Sequence, residues 1–300
     1  MDPSEDVLEK YKQAGKIASD VREKIKRNIR EDMLVIDVCE EVEGMIRERG
    51  ALPAFPCNVS INDVAAHYTS SPQDKMTIPS NSLVKIDLGV HIDGYIADTA
   101  TTISLGTAFE PLVKAAEAAL EKAIEILRPG LSISKFGSNI QEVIRNHGFK
   151  PVSNLTGHQV GRYLIHVGNL LPNVHRFTLA KIRSGEVYGV EPFVTTSDAI
   201  GMVERGTEAN IFRFLKQKSH KNPYAKKLQE YIRQNFRTLP FSERWLQQLV
   251  PPDKHKIAFS SLLSSHTIMS YPVFIEASRN PVAQAEHTIL IVDEGCLVLT

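Results

Sequence analysis

At 300 residues and 42% hydrophobic side chains, the chain can bury a full core, which excludes a disordered or fibrous protein. Thirty-five Lys and Arg balance 35 Asp and Glu, so no whole-molecule field draws it to nucleic acid or an anionic membrane. Three scattered cysteines, Cys39, Cys57 and Cys296, suit neither a disulfide framework nor a thiolate zinc site and read as reduced cytosolic thiols.

Met1 to Tyr11 mixes acids and bases with no apolar core, and no apolar run approaches a bilayer span, so a cytoplasmic protein without membrane contact is expected. From Asp6 to about Arg30, Val7, Ala14, Ile17, Ala18, Val21 and Ile25 recur at helical spacing, and a second helix is predicted over Ile36 to Glu48. Gly50 closes it, and Pro53 and Pro56 force an extended passage through Phe55 and Cys57. Val84 to Leu105 alternates apolar and polar residues about Asp93-Gly94, a two-residue hairpin signal. Helices follow over Phe109 to Leu127, ending before Pro129-Gly130, and over Ile133 to His147, ending at Gly148. Lys150 to Asp198, rich in Val, Thr, Tyr, Gly and Pro, reads as short strands. Gly206 to Lys256 carries eleven Lys or Arg against four Asp or Glu, a net +7, and reads as a basic helical insert broken at Pro251-Pro252. Helix resumes to about Ser264, and strands return from Ile268 to Leu299. The order suggests an α+β layer fold interrupted once, with one domain over 1–205 and 266–300 and an insert subdomain over 206–265.

Two aspartates eleven apart carry the first chemical signal. If Asp93-Gly94 form the turn, Asp87 faces Ala100 and Asp98 faces Gly89, so the two carboxylates are diagonal neighbours on one face of the hairpin. Apolar flanks, Ile86 and Leu88, Ile96 and Ala97, suggest buried surroundings, where paired carboxylates repel unless a cation lies between them. From these two residues alone, a hairpin with both acids facing water is equally consistent. Further lone charges in apolar or Gly-rich strand contexts decide the matter: His158, His166, Glu191 and Glu286. Four carboxylates and one imidazole, Asp87, Asp98, Glu191, Glu286 and His158, suit two hard or borderline divalent ions such as Co, Mn, Fe or Zn. Such a pair can activate water and polarise a peptide carbonyl.

At this point the motifs carry a resemblance. Phe55-Pro-Cys-Asn58, Asn62 to Tyr68 with Ala-Ala-His67, Lys85-Ile-Asp-Leu-Gly89, Asp98-Thr-Ala100, Asn154 to His158, His166, Glu191-Pro192, Tyr271-Pro272 and Glu286-His-Thr-Ile289 together resemble the type II methionine aminopeptidases, in order and over nearly the whole chain. The resemblance implies the pita-bread fold of the creatinase and aminopeptidase superfamily. It implies one metal held by Asp87, Asp98 and Glu286 and a second by Asp98, His158, Glu191 and Glu286. His67 and His166 would contact substrate without ligating metal, and Phe55, Ile165 and Tyr271 would line the methionine pocket. Val167 stands where a smaller residue is expected, and the basic N-terminal extension of larger members is absent.

The activity implied is co-translational removal of the first methionine when the second residue is small and uncharged, with Glu191 as proton shuttle. A monomer acting on the N-terminal peptide of nascent proteins is expected. The alternatives are an X-Pro dipeptidase with the same ligands, against which the insert and the Phe55 region argue, and a non-catalytic ribosome- or nucleic-acid-binding homologue, against which the full ligand set argues. The basic insert invites a transient ribosome contact, but no aromatic residues interleave clearly with its charges as a stacking platform requires, and a solvated face is the preferred reading.

Overall fold

The structure, a computed structural model, describes residues 4–300. Met1 to Pro3, part of the N-terminal stretch read as lacking an apolar core, lie outside the described residues. The first helix, α1 (Glu5–Asn28), has acids in its first turn and bases in its last, complementing the helix dipole, and buries Ala14, Ile17, Ala18, Val21 and Ile25 along one stripe. The second, α2 (Val35–Glu48), buries Val35, Val38, Val42 and Ile46 in the same way. Strands β1 (Leu52–Ile61), β2 (Val64–Ala66), β3 (Leu83–Ile92) and β4 (Tyr95–Ser104) follow. The hairpin between the last two turns at Asp93-Gly94, both at positive φ (51° and 85°) as a primed two-residue turn demands. Its register sets Asp87 opposite Ala100 and Asp98 opposite Gly89, as the sequence predicts. The helices cover the β1-β3-β4 sheet, packing Val21, Ile25, Val38 and Val42 against Val59, Val84, Ile86 and Val90.

The second half repeats the scheme. Helices α3 (Glu110–Ile126) and α4 (Ile133–Asn146) precede β5 (Lys150–Pro151), β6 (Thr156–Gly161), β7 (Leu164–Pro172), β8 (Val187–Val190), β9 (Phe193–Thr195) and β10 (Val203–Arg205). After them come β11 (Ile211–Phe214), α5 (Pro223–Asn235), β12 (Phe241–Ser242) and α6 (Pro252–Ser264). The chain closes with β13 (Ile268–Tyr271), β14 (Phe274–Glu276), β15 (Val282–Gln284), β16 (His287–Val292) and β17 (Gly295–Val298). A five-stranded sheet in the order β17-β16-β8-β6-β7 packs Tyr188, Val190, Ile289 and Ile291 against Leu120, Phe136 and Ile140 of α3 and α4. Two helix-backed sheets of one α+β fold thus stand side by side.

They are stitched along β4. Ala100 and Glu286 exchange backbone hydrogen bonds (3.4 and 3.1 Å). Two residues on, the Thr102 hydroxyl donates to the Gln284 carbonyl (2.6 Å) and accepts from its N–H (2.9 Å). Apolar side chains could not close this seam, because both edges carry strand backbone whose polar groups must be paired.

The segment expected to be a helical insert is helical only in part. Strands β11 and β12 flank its helices and form a small sheet in the order β12-β11-β13, over a local core of Phe212, Leu228, Ile232, Phe241, Leu246 and Phe259. These strands are two and four residues long in a charged background, too short for an alternating pattern to register. Pro251-Pro252 does separate the preceding turn from α6, which resumes and ends at Ser264 as expected: Pro252 sits in its first turn, where a missing N–H costs no bond. Among the described residues no helix is long and apolar enough to cross a membrane.

Candidate metal centre and substrate pocket

The hairpin delivers Asp87 from β3 and Asp98 from β4 to one face, β6 delivers His158, Glu191 follows β8, and Glu286 precedes β16 on the seam. Asp98, His158 and Glu286 each place a ligand atom within 4.8 Å of the others, the spacing of a shared cation. The His158 Nε2 lies 3.7 Å from Asp98 Oδ2 and 3.4 Å from Glu191 Oε1. Asp87 stands outside that trio but lines the same cavity and repels Asp98 and Glu286 electrostatically. All ten residues singled out in the sequence, Phe55, His67, Asp87, Asp98, His158, Ile165, His166, Glu191, Tyr271 and Glu286, line this one cavity. The alternative of a hairpin with both acids facing water is overturned: Asp98 is 3% exposed, and Asp87, half-buried as a residue, keeps its Oδ1 buried.

The electrostatics call for cations. Burial pushes the Asp87 carboxyl up to about 7. Burial, reinforced by the charges of neighbouring carboxylates, holds Asp98, Glu191 and Glu286 well above the usual range. Burial also depresses His158, with His166 adding to the effect, so its imidazole is neutral and able to ligate. Asp87 Oδ1, Asp98 Oδ1 and Glu286 Oε1 are buried with no hydrogen-bond partner among the described residues. Buried anionic oxygens left unpaired are costly, and oxygens with one nitrogen fit divalent ions of the Co, Mn, Fe and Zn kind. Gln284 sorts the remaining oxygens: its amide donates to Glu191 Oε2 (3.3 Å) and Glu286 Oε2 (3.1 Å), leaving Oε1 of each turned to the cluster.

The walls are equally specific. At Gly189 a Cβ would lie 2.9 Å from Glu286 Oε1 and 3.3 Å from His158 Cε1, so any side chain there would displace the two ligands. Gly89 likewise leaves room for the Phe55 ring, which a Cβ would meet at 2.3 Å. His67 sits at φ +67°, uncommon for a non-glycine residue, with its ring 5.8 Å edge-on from Tyr271 and 4.7 Å from Phe274. Desolvation lowers it to about 4, so it is a neutral imidazole at pH 7. His166 is exposed, with its ring 4.2 Å from that of His158.

Asn58, Ala66, Ile211, Pro240 and Gln284 escaped the sequence reading. Asn58 lines the cavity and has a buried Oδ1 with no partner among the described residues, and its only signal was its place in the Phe-Pro-Cys-Asn motif. Ile211 and Pro240 come from the insert, and nothing local distinguishes them from core residues.

The family model for metallopeptidase family M24 matches residues 9–218. The methionine aminopeptidase of Methanocaldococcus jannaschii is 44% identical over 97% of this chain and 98% of its own length. Among solved structures, a thermophilic Arx1 superposes with a TM-score of 0.84 at 21% identity, covering 99% of this chain and 91% of that one. A methionine aminopeptidase from Rickettsia prowazekii gives 0.71 at 21% identity, over 100% and 99% of the two chains. At those identities the solved structures speak for the fold alone. The family match and the full-length archaeal relative, set beside the buried carboxylate cluster, show that this chain belongs to metallopeptidase family M24, among its methionine aminopeptidases.

Proposed function

We propose that the chain removes the first methionine from nascent proteins whose second residue is small and uncharged, acting in the cytoplasm as a monomer. The carrying observation is that Phe55, Ile165 and Tyr271 share one cavity with the carboxylate cluster. An unbranched, polarizable thioether packs well between aromatic and aliphatic walls.

Asp87, Asp98 and Glu286 would hold one divalent ion, and Asp98, His158, Glu191 and Glu286 the other. The ions would supply Lewis acidity toward the scissile carbonyl and bring the pKa of water into the neutral range. Within the protein, Asn58 Oδ1 would accept from the substrate's α-amine, and His67 and His166 would hydrogen-bond the reacting peptide; the support is that all three line the cavity. Glu191, the cluster acid that follows Val190 at the end of β8, is the group assigned to move the proton from water to the leaving amine. The insert, assigned to 206–265, lends Ile211 and Pro240 to the cavity, and its net +7 is read as a solvated face.

The test is release of free methionine from a Met-Ala-Ser peptide, with and without chelator and with added Mn or Co. Release that stops with chelator and returns with metal is the expected result. Cleavage of Gly-Pro in preference to Met-Ala-Ser would favour a dipeptidase, and purified protein that binds no ion would favour a non-catalytic relative. Full turnover by Glu191→Ala would refute the proton-shuttle assignment.

A further inference from the structure

Phe55 and Asn58 face the pocket from a strand that is out of step with its neighbour. Between Pro53 and Asn58 the β1 to β3 register shifts twice, once on either side of Phe55. Such bulges re-aim side chains and disturb the ladder locally, and Pro56 has no N–H to contribute. Helix α2 meets the backbone at this point. The Cys57 N–H donates to Glu43 Oε1 (3.2 Å), and the Cys57 carbonyl accepts from Cys39 Sγ (3.4 Å). Cys39 and Glu43 are four residues apart and so share one helix face, which therefore grips both polar groups of the bulged residue.

The insert holds the same carboxylate from the other side. Arg244 donates from Nη2 to Glu43 Oε1 (2.9 Å) and from Nη1 to Oε2 (3.3 Å), and the Trp245 indole donates to Oε2 (2.6 Å). Arg244 is further fixed by the Ser70 carbonyl (2.8 Å) and the Thr69 hydroxyl (3.2 Å). The Glu43 side chain is 2% exposed and that of Arg244 4%. A pair so far from water keeps a single geometry, because breaking it strands a buried charge.

We propose that Glu43 and Cys39 are positioning residues for the methionine pocket: Glu43, anchored by Arg244 and Trp245 of the insert, and Cys39, one turn away on the same helix, together fix the bulge that aims Phe55 and Asn58 at the substrate. The inference rests on the methionine aminopeptidase reading of the cavity. It gives the insert a part in substrate selection through a hydrogen-bond chain, in addition to the residues it lends to the wall.

The experiment is steady-state hydrolysis of Met-Ala-Ser by the full chain in saturating Mn, comparing wild type with Glu43→Gln, Cys39→Ala and Cys39→Ser. Bound Mn and thermal unfolding are measured on the same samples. A displaced wall weakens binding without touching the metal, so KM should rise about tenfold in Glu43→Gln and about threefold in Cys39→Ala, with kcat within about twofold. Mn content should stay at the wild-type value, and Cys39→Ser, which keeps a donor for the Cys57 carbonyl, should restore KM. If Glu43→Gln fails to fold, Cys39→Ala and its serine rescue decide the matter. An unchanged KM in folded Cys39→Ala, or a loss that falls on kcat and Mn content together, would overturn the proposal. A wild-type chain that binds Mn yet frees no methionine would sink the reading of the cavity and this inference with it.

Discussion

Thr288 and Asp98 exchange two hydrogen bonds across the seam between the two sheets: the Asp98 N–H donates to Thr288 Oγ1 (2.6 Å), and that hydroxyl donates to the Asp98 carbonyl (2.7 Å). The hydroxyl belongs to a residue two positions from Glu286, so one contact aligns two of the cluster's acids. Thr288→Val keeps the shape and strands both backbone groups in a fully buried site. The expected cost is about 1–3 kcal/mol, read as a lower denaturation midpoint. Weaker Mn binding should accompany it, and Thr288→Ser should recover most of both; a valine variant as stable as wild type would contradict the account.

Gly189→Ala introduces a single methyl where Glu286 Oε1 and His158 Cε1 already stand 2.9 and 3.3 Å from the Cβ position. Far-UV circular dichroism should be unchanged while Mn content and methionine release fall sharply. Retention of normal Mn content would show that the ligands can yield without loss.

His67→Asn preserves a residue type that tolerates the left-handed backbone seen at that position and removes the imidazole. Loss of a positioned hydrogen-bonding group from the reacting peptide predicts a fall in kcat of about 10²–10⁴-fold. Bound metal should not change, since His67 is not among the five residues assigned to hold the ions; elemental analysis beside the kinetics checks both.

The titration of the cluster gives a pH dependence of definite sign. Without metal, burial raises Asp87 to about 7, and burial with the charges of neighbouring carboxylates raises Asp98, Glu191 and Glu286 well above the usual range. The unfolded chain therefore releases these protons near pH 4 while the folded chain still holds them, and stability of the metal-free protein drops as pH rises from about 4 through about 7. His158, depressed by burial, acts in the opposite sense, costing stability as pH falls below its unfolded value. Cations relieve the carboxylate penalty, so the rise in Tm on adding Mn should grow between pH 5 and 7.5. A Tm increment independent of pH would contradict the assignment of these acids as ligands.

Much of this site was legible in the sequence because one turn sets it. Asp93-Gly94 fixes which residues of β3 and β4 oppose each other, and from that the shared face of Asp87 and Asp98 follows by counting. His158, Glu191 and Glu286 stood out because a lone charge inside an apolar strand is costly and invites an explanation. What stayed hidden depends on meetings between distant segments. Gln284 looks like any strand-end polar residue until its amide is seen between Glu191 and Glu286. The bulges around Phe55 leave no periodic trace, and Ile211 and Pro240 reach the cavity only because β11 and β12 form a sheet that a charged segment concealed.

The stitch along β4 also maps where this chain can vary. Asp98 meets Thr288, Ala100 meets Glu286 and Thr102 meets Gln284 by contacts that involve none of the residues between Glu191 and Val282. Glu286 is thus indexed directly to the first hairpin, and the long excursion through α5 and α6 hangs outside that index. Residues can be added to or removed from the excursion's loops without shifting the acid. A one-residue slip inside the two five-residue edges would turn Glu286 to the opposite face and silence the centre.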